Sequence, residues 1–240
     1  MIAPLLAAAL ALAAPPTAPP DVPPLRPRAT APPAVAPGTT LARYAAALAV
    51  VRTPPVLSFE YSIDQAGARD IQQTHRVFRS GTSERNELLS VDGKKLVPPS
   101  IHIFLGHRNR YAIEALAPRP EAYRFRYVGT VRDARHVDAV FATTPLSSSA
   151  ATVRQVTIDG VTFLPVAIRF VTKLHGGSGT VTFGRVQKYW VATAASARAT
   201  YAKHAAVEHI TFYRYRFPTS LAPSTFSTPR PLPSFRPAPF

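Results

Sequence analysis

Seven histidines, thirteen carboxylates and no cysteine bound the chemistry this chain can hold. Without cysteine there is no disulfide, no thiolate metal ligand and no thiol nucleophile. The histidines include no H-E-x-x-H, and the steps from His102 to His107 and from His204 to His209 do not match a helical zinc pair. Glu84 with Glu87, and Asp133 with Asp138, are neighbours in sequence, but paired-carboxylate chemistry is set by separation in space. Gly176-Gly177-Ser178-Gly179 is not G-x-S-x-G and lies between strand-like runs, so it reads as a turn and not as a nucleophile elbow. No phosphate loop or dinucleotide fingerprint occurs. The sequence predicts no catalytic residue, no metal ligand, no cofactor and no enzymatic activity.

Two runs interleave aromatic and basic residues, Tyr123-Arg124-Phe125-Arg126-Tyr127 and Tyr213-Arg214-Tyr215-Arg216-Phe217. A surface for single-stranded nucleic acid needs stacking rings and phosphate-binding arginines on one face. In a pleated strand they point to opposite faces, which predicts aromatics packed inward, arginines outward, and no nucleic-acid partner. The net charge of +15, from 28 basic and 13 acidic residues, favours an anionic partner such as a membrane surface.

The elements that carry these runs are mostly strands. Residues 156–172 read as two alternating arms around an Asp159-Gly160 hairpin turn, with Leu164, Val166, Ile168 and Phe170 on one face. Leu41, Tyr44, Ala45 and Leu48 recur at helical spacing ahead of Pro54-Pro55, predicting one amphipathic helix. Leu57, Phe59, Tyr61 and Ile63 then alternate with polar residues. Residues 70–79 and 84–91 read as strands joined by a turn at residues 80–82, and Asp92-Gly93 signals another turn. Residues 101–105 and 110–115 read as a hairpin, and residues 123–131, 138–143, 180–191 and 207–217 as strands. The Ala-rich segment 192–206 is open between hairpin and helix, because alanine favours helix while both neighbours look like strands. Residues 1–14 read as a signal peptide ending in small residues, 15–37 as a Pro-rich linker, 38–227 as one domain and 228–240 as a Pro-rich tail. An exported protein of the periplasm or cell envelope is expected. Its fold class is mainly β with one or two helices, a curved antiparallel sheet around a helix.

The run Asp159-Gly160-x-x-x-Leu164-Pro165-x-x-Ile168-x-Phe170, with Ile210-x-Phe212-x-x-Tyr215-x-Phe217-Pro218 and Leu221, Pro223 and Phe226 beyond it, resembles the C-terminal pattern of LolA-like outer-membrane lipoprotein carriers. The resemblance spans residues 40–227 and implies an open half-barrel with a helical lid over an apolar cavity. It also implies a lipid or lipidated protein as partner, with Phe59, Tyr61, Phe125 and Tyr127 as candidate lining. The alternative reading is a non-enzymatic envelope scaffold or sensor that binds a protein or an anionic surface.

Overall fold

Apolar-polar alternation builds eleven strands, all paired antiparallel in one sheet. The computed structural model describes residues 35–67, 70–107, 109, 111–132, 137–148, 151–172, 177–201 and 204–227. The expected signal peptide, the linker up to residue 34 and the tail 228–240 lie outside the described residues, as do Asp133, His136 and residues 175–176 of the glycine turn. Strands β1 (Val56–Gly67), β2 (Ile71–Ser80), β3 (Ser83–Val91) and β4 (Lys94–Phe104) form a first meander. Strands β5 (Tyr123–Arg132), β6 (Val137–Pro145), β7 (Ala151–Ile158), β8 (Pro165–Thr172), β9 (Ser178–Val186), β10 (Tyr189–Tyr201) and β11 (His204–Arg216) form a second. The spatial order β4-β3-β2-β1-β11-β10-β9-β8-β7-β6-β5 joins the meanders through β1 and β11 and leaves β4 and β5 as free edges. This is the open half-barrel that the sequence predicts.

Helix α1 (Pro37–Val50) precedes β1, and the connection from β4 to β5 carries a single helical turn, α2 (Ile113–Leu116). Residues 110–115 were expected to return beside β4. Residues 111–115 instead lie in a crossover to the opposite edge, because Tyr111, Ala112, Ile113 and Ala117 are all buried, which a half-exposed edge strand cannot achieve. Asn109 Oδ1 accepts from Tyr111 N at 3.0 Å, and Ala117 N closes the turn on Ile113 O at 2.8 Å.

Three turns depart from expectation, each for a local reason. The Asp159-Gly160 turn is a six-residue loop, 159–164, in which Asp159 Oδ1 accepts from Val161 N at 3.1 Å and from the Thr162 hydroxyl at 2.7 Å. Gly160 is required there because a Cβ would lie 2.2 Å from Val137 O. Residues 180–191 are not one strand, since Gln187, at φ 55°, takes a left-handed turn between β9 and β10 that its residue type does not announce. Arg214, at φ 54°, resets the alternation of β11, so Tyr213 pairs across from Glu60 on the outer face while Tyr215 turns inward onto Phe59. The Ala-rich segment forms the β10–β11 hairpin, with Ala195, Ala197, Ala199 and Ala206 buried in alternation. The chain after β11 reaches β3, where Thr225 O accepts from Arg85 Nη1 at 3.1 Å.

A buried ion pair on the inner face fixes the β2–β3 hairpin. Arg79 Nη1 donates to Glu84 Oε2 at 2.6 Å, and Arg79 Nη2 reaches Gly81 O at 2.9 Å and His107 O at 3.0 Å, pinning the start of the crossover. Arg79→Ala removes the guanidinium from a buried carboxylate and is expected to cost about 3–5 kcal/mol in urea unfolding. The Arg79→Met/Glu84→Leu pair should lose clearly less, and an equal loss in both would contradict a desolvation origin.

Candidate ligand-binding face

The inner face divides into a polar part and an apolar part. On β2 and β3 it carries Gln73, His75, Arg79, Glu84 and Asn86, all buried. From β1 across β11 to β6 it is mainly apolar, with Phe59, Tyr61, Phe212, Ile210, Val181, Ile168, Val156 and Phe141 in a single cluster, and Glu208 and Thr143 as buried polar residues on the same face. Glu84 and Glu87, neighbours in sequence, face opposite sides of β3: Glu84 meets Arg79 inside, and Glu87 accepts from Arg85 Nε at 2.7 Å outside. Among the described residues no group of three or more metal-ligating side chains converges.

The four sequence-predicted lining residues all face inward, but they fall into two neighbourhoods. Phe59 and Tyr61 on β1 are 1% exposed, and Phe59 packs against Tyr111 of the crossover at 5.0 Å between ring centroids. Phe125 and Tyr127 on the edge strand β5 are half-buried and contact Phe141, while Phe125 also meets Tyr44 of α1 at 5.9 Å. Arg124 and Arg126 between them are exposed, as the alternation predicts.

Two segments cover the apolar face, and they are held very differently. The crossover buries four residues within seven positions and is wedged between Phe59 and Phe212 by the Tyr111 ring. Helix α1 buries only Thr40, Tyr44 and Leu48 along fourteen residues. It has no side-chain N-cap, no acidic residue in its first turn and no basic residue in its last, so little of its stability is its own. Besides the Tyr44–Phe125 contact, Tyr44 Oη donates to Pro118 O at 2.7 Å, the Arg43 guanidinium lies 5.0 Å from the Phe163 ring centroid, and just past the helix Thr53 N donates to Glu114 Oε1 at 2.8 Å. Burial raises the Tyr44 hydroxyl far above the usual tyrosine range, although Arg119 works against it, so Tyr44 stays a neutral donor.

Where α1 ends, a cavity of about 330 Å³ opens between the helix, the 159–164 loop and the β9–β10 turn. Its apolar wall is Val51, Leu164 and Trp190, the outer layer of the core cluster, and Arg52, Arg185 and Lys188 stand at its rim. Trp190 Nε1 donates to Pro165 O at 2.8 Å, fixing the ring. Val50 on the rim is 71% exposed, and Val161, next in the chain to the lining residue Thr162, is 67% exposed. Sequence reasoning placed Trp190 within the strand-like run 180–191 and gave it no binding role. The cluster was hidden because it gathers three segments far apart in the chain, the last of them at an unannounced turn.

No family model and no curated protein matches the sequence. Among solved structures the chain is similar to a LolA superfamily protein from Nitrosomonas europaea, at 11% identity and a TM-score of 0.47, covering 81% of this chain and 99% of that one. It is also similar to a DUF1329 family protein from Desulfovibrio piger, at 9% identity and a TM-score of 0.48, covering 79% and 96%. The likeness is one of general architecture.

Beside the apolar face, His75 stacks on Tyr61 with centroids 4.6 Å apart and planes 3° from parallel. Its ring nitrogens lie 3.0 Å from Asn86 Oδ1 and 3.2 Å from Gln73 Oε1, and Asn86 Nδ2 donates to Tyr61 Oη at 2.9 Å. Burial pushes His75 below the ordinary histidine value of 6.5, with His102 adding to it and the Asn86 bond opposing it. The unfolded chain then binds a proton that the folded chain refuses, so stability falls as pH drops through 6.5 and levels off below the folded value. On the outer face Glu60 is also shifted down: burial alone would raise it, but hydrogen bonds from Arg76 and Arg214 outweigh that, so its contribution is lost only below the carboxylate value of 4.5. Urea midpoints measured from pH 7.5 to 5 should decline in the native chain and flatten in His75→Gln; an identical slope in both would remove His75 from the account.

Proposed function

We propose that this protein is an exported, non-enzymatic carrier of amphiphiles that shields the acyl chain of a lipid or lipidated protein against the inner face of its open sheet. The observation that carries this reading is the cavity at the end of α1, an apolar wall continuous with the core and a cationic rim beside exposed valines. Its volume falls within the range of small-molecule sites. The composition suits one molecule with an apolar tail and an anionic head, and it suits an anionic bilayer as donor and acceptor of that molecule. The apolar leader at residues 1–14 supports an envelope setting.

Magnitudes support α1 as the part that moves. Tyr44 and Leu48 together hold it with about 3–6 kcal/mol of apolar burial. A tail of about twelve methylenes gains about 10 kcal/mol when buried at about 0.8 kcal/mol each. A tail entering beside Val51 and Leu164 therefore displaces the helix, and an acceptor offering equal burial takes the tail away and lets the helix return. In this reading Phe125 and Tyr127 line the space α1 leaves, while Phe59 and Tyr61 form its floor beneath Tyr111.

Trp190 is the single tryptophan, so its fluorescence reports on the cavity directly. Titration with dodecanoate should give a saturable blue shift at one equivalent. Leu164→Arg should abolish it, and Arg52→Glu/Lys188→Glu should weaken it about tenfold through the rim charges while leaving a neutral dodecyl glycoside unaffected. No saturable change in the native chain, with either probe, would overturn the reading.

A further inference from the structure

The outer face of the sheet carries two groups of arginines in opposite electrostatic states. Toward β1 to β3 they are neutralised: Glu60 accepts from Arg76 at 2.9 Å and from Arg214 at 2.7 Å, and Arg85 lies 2.7 Å from Glu87. Over β7 to β10 they are not. Arg154, Arg169 and Arg198 make no hydrogen bond or ion pair among the described residues. They line a groove of about 310 Å³ whose floor comes from the pleat of five strands, β7 to β11.

The register explains the gathering. Arg169 pairs across from Thr180, Thr180 from Ser196, and Ser196 from His209, one row running across β8 to β11. In the adjacent row Ser178 pairs across from Arg198. Arg154 is the extra residue of the bulge between Val153 and Gln155, which brings it into the same groove. The hydroxyls of Ser178, Thr180 and Ser196 make no hydrogen bond among the described residues. On this face the nearest carboxylate in register is Asp64, across from His209, and it already accepts from Gln72 Nε2 at 2.8 Å, while Glu208, across from Ala197, is buried on the other side of the sheet.

We propose that this groove is a binding site for a phosphate-class oxyanion. Three uncompensated guanidiniums in one groove repel one another, and a tetrahedral dianion relieves all three while its several oxygens meet planar donor forks and hydroxyls together. A monocarboxylate has neither the charge nor the number of acceptors to engage the set. The oxyanion is free phosphate or the phosphomonoester head group of a lipid. The groove lies on the opposite side of the sheet from α1 and does not depend on the carrier reading.

The test is calorimetric titration of the full chain with inorganic phosphate and, separately, with monomeric dihexanoyl phosphatidic acid. The site predicts one saturating event with at least one probe, weakened about tenfold or more in Arg169→Ala/Arg198→Ala and unchanged in Arg124→Ala/Arg126→Ala, whose exposed arginines sit on the same face of β5. Similar affinities for the two probes assign the site to phosphate itself, and phosphatidic acid binding about tenfold tighter assigns it to a lipid head group. No saturation with either probe, or equal weakening by both double variants, overturns the proposal, since the second result would mean diffuse surface charge. All four substitutions replace exposed or half-exposed arginines, so unchanged thermal unfolding verifies that the variants remain folded.

Discussion

An antiparallel sheet of eleven strands that does not close must cover its inner apolar face with chain that is not part of the sheet. Every other feature of the molecule follows from how that is done. Because β4 and β5 are the two outermost strands, the connection between them has to traverse the whole sheet, and it does so with its apolar residues turned down onto Phe59 and Phe212. The Arg79 guanidinium holds the departure of this connection at His107 O, and Tyr44 of α1 meets its far end at Pro118 O. The crossover thus organises both the polar cluster on β2 and β3 and the seat of the helix.

The two covers differ in reversibility. Removing the crossover would expose a ring inserted between two others and three further buried side chains, and it would strand the Arg79 contact. Removing α1 exposes a tyrosine and a leucine. A carrier needs this inequality, since a face covered only by fixed chain has no room for cargo and a face covered by nothing would aggregate. In the proposed reading, the cationic rim at the end of the helix and the exposed valines beside it suit the opening to an anionic, partly apolar surface.

Most of the sheet was legible from period-two alternation, because burial on one side imposes that period directly. Leu57, Phe59, Tyr61 and Ile63 face inward as their spacing says, and the arginines of β5 face out. What was not legible depends on backbone states that residue types do not announce. Gln187 and Arg214 turn left-handed without being glycine or asparagine, which hid a hairpin and reversed Tyr213. Residues 110–115 alternate too weakly to separate an edge strand from a buried crossover, and only the positions of β4 and β5 at opposite edges decide between them. The terminal cavity and the arginine groove were unreadable for another reason. Each gathers side chains from three or more segments, and strand register, including the bulge at Arg154, sets which residues meet.

The central claim is that α1 is the removable cover and the crossover is the fixed one. Hydrogen exchange read by mass spectrometry, with and without saturating dodecanoate, addresses it directly. The account predicts faster exchange across residues 37–50 on binding, with residues 111–117 and the paired strands as protected as before. Unchanged or slower exchange in the helix, or loss of protection in the crossover first, would contradict it.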